Sequence, residues 1–157
     1  MFCSLARSIP LALISLLILV PGYAQHAQSV EQRIFQAINQ VRQENKLPPL
    51  KWNAKIADVA RSHSTRMATK RFFSHEDPKF GGPDNRLSTA GIAWRRCGEN
   101  IFEEYGERDP EQSAIRGWMQ SSGHRKNILT REFTHTGIGV ATQRDGGYTI
   151  TQMFAAF

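Results

Sequence analysis

An α+β domain is predicted from three features of the sequence. Three segments carry apolar residues at three- and four-residue spacing, the last third ends in two β-rich runs around Asp145-Gly146-Gly147, and the two kinds of segment do not strictly alternate. No internal repeat or low-complexity stretch interrupts them.

Ser29-Val30-Glu31-Gln32 reads as a capping box opening a first helix, whose apolar face is Ile34, Ala37, Ile38 and Val41. Asn45 through Pro49 ends it, because proline cannot extend the hydrogen-bond ladder. Leu50-Lys51-Trp52 packs the approach to a second helix, capped by Asn53 and striped by Ile56, Val59, Ala60, His63 and Met67. His63 falls on the buried stripe, where a hydrogen-bonded core histidine is the ordinary outcome.

Phe72-Phe73-Ser74-His75 follows, then a loop rich in turn formers: Glu76, Asp77, Pro78, Gly81, Gly82 and Pro83. Asp84 is expected to cap a short helix over Asn85–Ala90, ended by Gly91, and Ile92-Ala93-Trp94 to form a short strand. That strand would lead into Cys97-Gly98-Glu99-Asn100-Ile101. Asp109-Pro110-Glu111-Gln112 is a strong helix start, with cap and N-terminal proline in place, and Ile115, Trp118 and Met119 give the apolar face. A break is expected at Ser122-Gly123, with His124 through Leu129 as a further short helix or turn. Thr136–Thr142 and Tyr148–Phe154 complete a hairpin.

The chain has 157 residues and suits one domain preceded by a leader. Arg7, the apolar run Leu11–Val20 and the small residues before Gln25 read as a secretory signal over residues 1–24, with the domain spanning 25–157. A secreted or periplasmic bacterial protein is the expectation, with no transmembrane span after cleavage. Cys3 would leave with the leader, so Cys97 alone remains: no internal disulfide is available, and a packed thiol is the expected role. The net charge of +6 is spread in short clusters without interleaved aromatics, which suits a solvated or envelope-facing exterior and argues against nucleic-acid binding.

Two histidines and a glutamate stand at element ends: His75, Glu99 and His124. Two imidazoles and a carboxylate can hold Zn²⁺ with one position open to water. The same three residues, with Asn100 and with Arg125 paired to Glu99, can equally form a polar network that specifies the fold. No nucleophile competes, since Ser64, Ser74 and Ser121 lack a G-x-S-x-G elbow.

The ordered set Asn39-x-x-Arg42, Leu50-x-Trp52-Asn53, Ala60-x-x-His63-Ser64-x-x-Met67, Phe73-Ser74-His75, Arg86 with Gly91, and Gly98-Glu99-Asn100-Ile101 continues through Trp118-x-x-Ser121, Gly123-His124-Arg125-x-Asn127-Ile128-Leu129 and Phe133. It closes with Gly137-Ile138-Gly139-Val140 and Tyr148-x-x-x-Gln152-x-Phe154. Together these resemble the CAP superfamily: cysteine-rich secretory proteins, antigen 5 and pathogenesis-related 1 proteins, also called SCP-like. The resemblance implies an α-β-α sandwich with a small antiparallel sheet between helical layers. It also implies a cavity lined by two His and two Glu, of which His75, His124 and Glu99 match three; Ser121 stands at the position of the second glutamate. Glu76, Asp77 and Ser121 are the candidates to replace that acid.

The cavity set is therefore His75, Glu99, Asn100, Ser121, His124 and Arg125, with His75 and His124 as the metal candidates for a divalent ion such as Zn²⁺. Three functions follow. A binding module of the envelope or exterior, expected to be monomeric, would take a lipid, sterol, peptide or envelope-surface ligand. A metal-dependent hydrolase of the peptidase kind would use His75 and His124 to hold the ion and Glu99 to activate water. A structural envelope protein would need no ligand. The absent second glutamate favours the binding module.

Overall fold

A computed structural model describes residues 29–106 and 109–157 of the protein. The leader, residues 1–24, lies outside the described residues. The elements are α1 (Val30–Glu44), β1 (Lys51–Trp52), α2 (Ala54–Lys70), α3 (Pro83–Thr89), β2 (Arg96–Glu104), α4 (Pro110–Gln120), α5 (Ser122–Leu129), β3 (His135–Thr142) and β4 (Tyr148–Ala156).

Capping chemistry sets most helix starts. The side chains of Ser29, Asn53 and Asp109 accept from the backbone N–H groups of Gln32, Ile56 and Gln112 at 3.3, 3.1 and 3.1 Å, each filling one orphan donor of a first turn. Three expected boundaries move. The short helix starts at Pro83, with extended Gly82 before it, so Asp84 sits inside the first turn as a charge favourable to the helix dipole rather than as the cap. Ile92–Trp94 is not a strand; pairing begins at Arg96, opposite Ala156, where β4 ends. The break between α4 and α5 falls at Ser121, in an extended conformation (φ −89°, ψ 122°), and Gly123 lies within α5.

The sheet order is β1-β3-β4-β2. β2–β4 and β3–β4 are antiparallel, but β1 runs parallel to β3 through Lys51↔His135 and Trp52↔Thr136. The sheet is therefore mixed rather than purely antiparallel. β4 is central and buried on both faces, because helices cover each side. On one face, Ile150 and Phe154 join Ile34, Ile38, Trp118, Ile128 and Phe133 under α1, α4 and α5. On the other, Met153 and Ala155 join Ile56, Ala60 and Leu87 under α2 and α3.

The two faces are built differently. Trp118 fills the first and donates its indole N–H to Ile101 O at 3.0 Å. The second depends on glycine: a Cβ at Gly137 or Gly139 would stand 2.1 Å from the backbone nitrogens of Ala57 and Arg61. α2 therefore lies directly on the backbone of β3. Ser64 fastens the contact, donating to Gly139 O at 2.9 Å or to Thr151 Oγ1 at 2.8 Å.

Candidate functional site

The site forms where the end of α2, the loop after it, β2 and the α4–α5 corner meet. α2 ends at Arg71, whose left-handed backbone (φ 56°) turns the chain towards Ser74 and His75. β2 delivers Glu99 and Asn100, both buried. α5 delivers His124 and Asn127.

Glu99 is the centre. One oxygen, Oε1, lies 2.9 Å from His75 Nδ1, and the other accepts from Arg86 Nη2. Arg86 Nη1 also donates to the carbonyls of His75 and Gly81 at 2.8 and 2.7 Å, tying the loop to α3. The expected Arg125–Glu99 pair does not form. Arg125 is exposed at the head of α5, and Arg86 neutralises the carboxylate instead. A buried carboxylate without such a partner would carry a large desolvation cost. Arg86, with Gly91, stands among the residues that carry the family resemblance, but nothing in its spacing paired it with Glu99.

Asn100 and Asn127 fix the other wall. Asn127 Nδ2 is within reach of Glu99 O (3.0 Å) and Asn100 Oδ1 (2.9 Å), and Asn100 Nδ2 donates to His124 O at 3.2 Å. His124 is thus placed by β2 through its own backbone. The His75 and His124 rings are 6.4 Å apart between centroids. Burial, and then the neighbouring His75, lower the His124 pKa, so its neutral ring is favoured.

Behind this cluster lies a second one that sequence reasoning did not assemble. Asp77 accepts from the Arg66 guanidinium, with the Nη2 contact at 2.7 Å, and from the backbone N–H of Lys79 and Phe80. The Arg66 hydrogen bond, reinforced by those amides, holds the Asp77 carboxyl far below the usual carboxylate range. His63 is enclosed beside it, with Nε2 3.0 Å from Ser74 O and Nδ1 3.8 Å from Asp77 Oδ2. Burial lowers the His63 pKa, and the neutral ring with Nε2–H donated to Ser74 fits this geometry. His63 is therefore the hydrogen-bonded core residue its stripe position suggested.

The residues fit a three-donor metal site poorly. Glu99 stands behind His75 with both oxygens engaged, and Asp77 is committed to Arg66. Ser121 serves the helix corner: its N–H donates to Gly117 O at 3.2 Å and its carbonyl accepts from Arg125 N at 2.8 Å. Among the described residues, no three His, Cys, Asp or Glu side chains are arranged to hold a metal ion. Half-buried Cys97 has its thiol pKa raised by burial and then by Asp84 and Glu99, which suits packing rather than nucleophilic chemistry.

Comparison with known proteins adds the context. The sequence model of the cysteine-rich secretory protein family (CAP) matches residues 35–154. The uncharacterized protein YkwD of Bacillus subtilis is 36% identical over 124 residues, covering 79% of this chain and 46% of YkwD. The uncharacterized membrane protein YlbC of the same organism is 36% identical over 110 residues, covering 70% of this chain and 31% of YlbC. This chain thus spans less than half of either relative. Among solved structures, an extracellular protein containing an SCP domain from Bacillus anthracis superposes with a TM-score of 0.71 at 36% identity, covering 82% of this chain and 40% of that one.

Proposed function

Because the chain belongs to the cysteine-rich secretory protein (CAP) family, we propose that it is an exported, non-catalytic binding module of the cell envelope or exterior. The open face between His75 and His124 is its ligand-receiving surface. One observation carries this reading: Glu99, the buried carboxylate at the centre of the cluster, is consumed by Arg86 and His75. A general base has to reach the water it deprotonates. This carboxylate is buried and charge-paired, and Ser121 supplies no second acid. The half-exposed His75 and the exposed Phe73 offer a mixed polar and apolar surface for a lipid, sterol, peptide or envelope component.

Export rests on the leader over residues 1–24 and agrees with the extracellular relative from B. anthracis. Among the described residues no helix is long and apolar enough to cross a membrane. A metallohydrolase is the second reading, favoured by the Glu99–His75 contact, since carboxylates often orient metal-binding imidazoles. His75 and His124 would then be the ion's protein donors, and the ion would supply an acidified water.

Calorimetric titration of Zn²⁺ into the protein and into the His75→Ala/His124→Ala double mutant separates the two, together with an assay on peptide and ester substrates. The binding-module reading expects no tight stoichiometric Zn²⁺ uptake and no turnover. Tight binding lost in the double mutant, with hydrolysis lost alongside it, would establish the hydrolase instead.

A further inference from the structure

A cavity of about 740 Å³ lies at one end of the sheet, between the end of α2, the end of β2 and the β3–β4 turn. Exposed rings line it, Phe73 at 46% and Tyr105 at 58% exposure. Glu103 and Gln143 also line it, and Gln143 Nε2 donates to Glu103 Oε1 at 2.8 Å and to Thr149 Oγ1 at 3.0 Å. Glu103 shares one face of β2 with Glu99, because side chains alternate along a strand.

The Tyr105 ring is held in place although it is exposed. It is seated on Gly147, where a Cβ would stand 2.9 Å from its Cδ1, and its hydroxyl bonds with Glu103 and Gln143. An aromatic ring that is already fixed and open to solvent gives up little freedom when a ligand stacks on it. The charges of the lining cancel: Arg71 and Arg144 stand against Glu103 and Asp145, in a chain whose net charge is +6. The cavity thus combines aromatic surface with planar groups that donate and accept hydrogen bonds, and it carries no net charge.

We propose that this cavity binds a neutral oligosaccharide, with the C–H face of a sugar ring stacked on Tyr105 and its hydroxyl groups bonded to Glu103, Gln143 and Asp145. A hydroxyl both donates and accepts, so it can serve the carboxylates and the amide alike. Phe73 offers a second apolar surface to the same chain of sugar rings. A lipid tail is disfavoured because it would strip water from the charged lining and give nothing back. An anionic ligand would meet Glu103 and Asp145, and a cationic one Arg71 and Arg144. An extended peptide would want a free strand edge, but on the edge strand β2 the carbonyls of Glu99 and Ile101 already accept from Asn127 and Trp118. The site shares Phe73 with the face between His75 and His124 but needs neither histidine.

The test is a nitrogen-15 NMR titration with cellotriose, maltotriose and triacetylchitotriose as separate probes, following the Thr69, Arg144 and Asp145 amides and the Gln143 side-chain amide. At least one of these sugars should give saturable shifts at those groups, and the tightest of them tells a glucan source from an N-acetylated envelope glycan. Trigalacturonate, fully deacetylated chitotriose and a capped alanine tripeptide should each bind about tenfold more weakly or worse. Tyr105→Ala, at an exposed position, should weaken sugar binding about tenfold while the remaining spectrum stays native. Tyr105→Phe keeps the ring and should stay within about threefold of the parent protein. The His75→Ala/His124→Ala double mutant should keep sugar binding whatever its fate towards other ligands. No saturable shift with any of the three sugars, equal binding of a charged trimer or of the tripeptide, or undiminished binding by Tyr105→Ala would each overturn the proposal.

Discussion

Each face of the sheet buries an arginine, and the two are satisfied differently. Arg42, under α1, is fully buried and has only neutral partners: the carbonyls of Pro48, Ile128, Thr130 and Phe133 at 2.9, 2.7, 2.9 and 3.3 Å. Arg86, on the α2 side, also takes two carbonyls through Nη1, but its Nη2 goes to Glu99. The first arginine staples the α1 and α5 exits where no titratable side chain bonds to it. The second neutralises a carboxylate that places a half-exposed histidine. A buried cation held by carbonyls alone is an architectural device, whereas one held by a carboxylate marks the face where polar chemistry was gathered.

The largest effect should come from the contact that makes the second face. Gly139→Ala would force a Cβ to within 2.1 Å of the Arg61 nitrogen, in backbone that has no side chain to rotate away. A loss of more than about 4 kcal/mol is expected, enough to prevent recovery of folded protein, and circular dichroism of the purified variant checks it.

Next come the arginines themselves. Arg42→Met keeps the bulk but strands four carbonyls, so chemical denaturation should report a loss of about 4 kcal/mol, with no single acidic partner able to rescue it. Arg86→Met should cost about 3 kcal/mol by leaving Glu99 as an uncompensated buried charge. There a rescuer exists: adding Glu99→Gln should restore most of the loss. Failure of that rescue would make the two arginines equivalent and remove the contrast between the faces.

The smallest expected effect is in pH. The folded-state pKa values of His63 and His124 are lowered by burial, so the unfolded chain takes up protons first as acid is added. Their contribution is fully present above the ordinary histidine value of about 6.5 and is lost as pH falls below it. Asp77, also held low, adds a second loss beginning near its ordinary value of about 4. Between pH 7.5 and 5.5 the melting temperature should fall by about 4 °C, and His63→Gln should flatten much of that slope. A slope unchanged in His63→Gln would remove His63 from the acid-sensitive set.

Local signals were legible in the sequence because they act over three or four residues. Ser29, Asn53 and Asp109 marked three helix starts, and Asp145-Gly146-Gly147 marked the hairpin. His75, Glu99, Asn100 and His124 do come together, but Glu99 and Asn100 reach the site from the middle of β2 rather than from an element end. Partners separated by fold geometry were not legible. Arg125 adjoins His124 in the motif, yet Arg86 reaches Glu99 because α3 packs beside β2, and sequence spacing does not encode that packing. Likewise Ile92–Trp94 has strand composition, but a strand exists only where a neighbour offers a ladder, and β4 ends opposite Arg96.

The glycine contact between α2 and β3 also has a consequence in time. With helix backbone resting on strand backbone at Gly137 and Gly139, that layer has almost no slack, and its amides are expected to exchange more slowly than those of the surface loops, which hydrogen exchange would check. The loop from Arg71 to Gly82 is fastened mainly by side chains, through Arg66 to Asp77 and Arg86 to His75 and Gly81. His75 rides on this loop, while His63 stands in the helix that rests on β3. The two histidines beside Glu99 are thus held by contacts of different kinds, His63 by helix-on-strand backbone packing and His75 by arginine side chains.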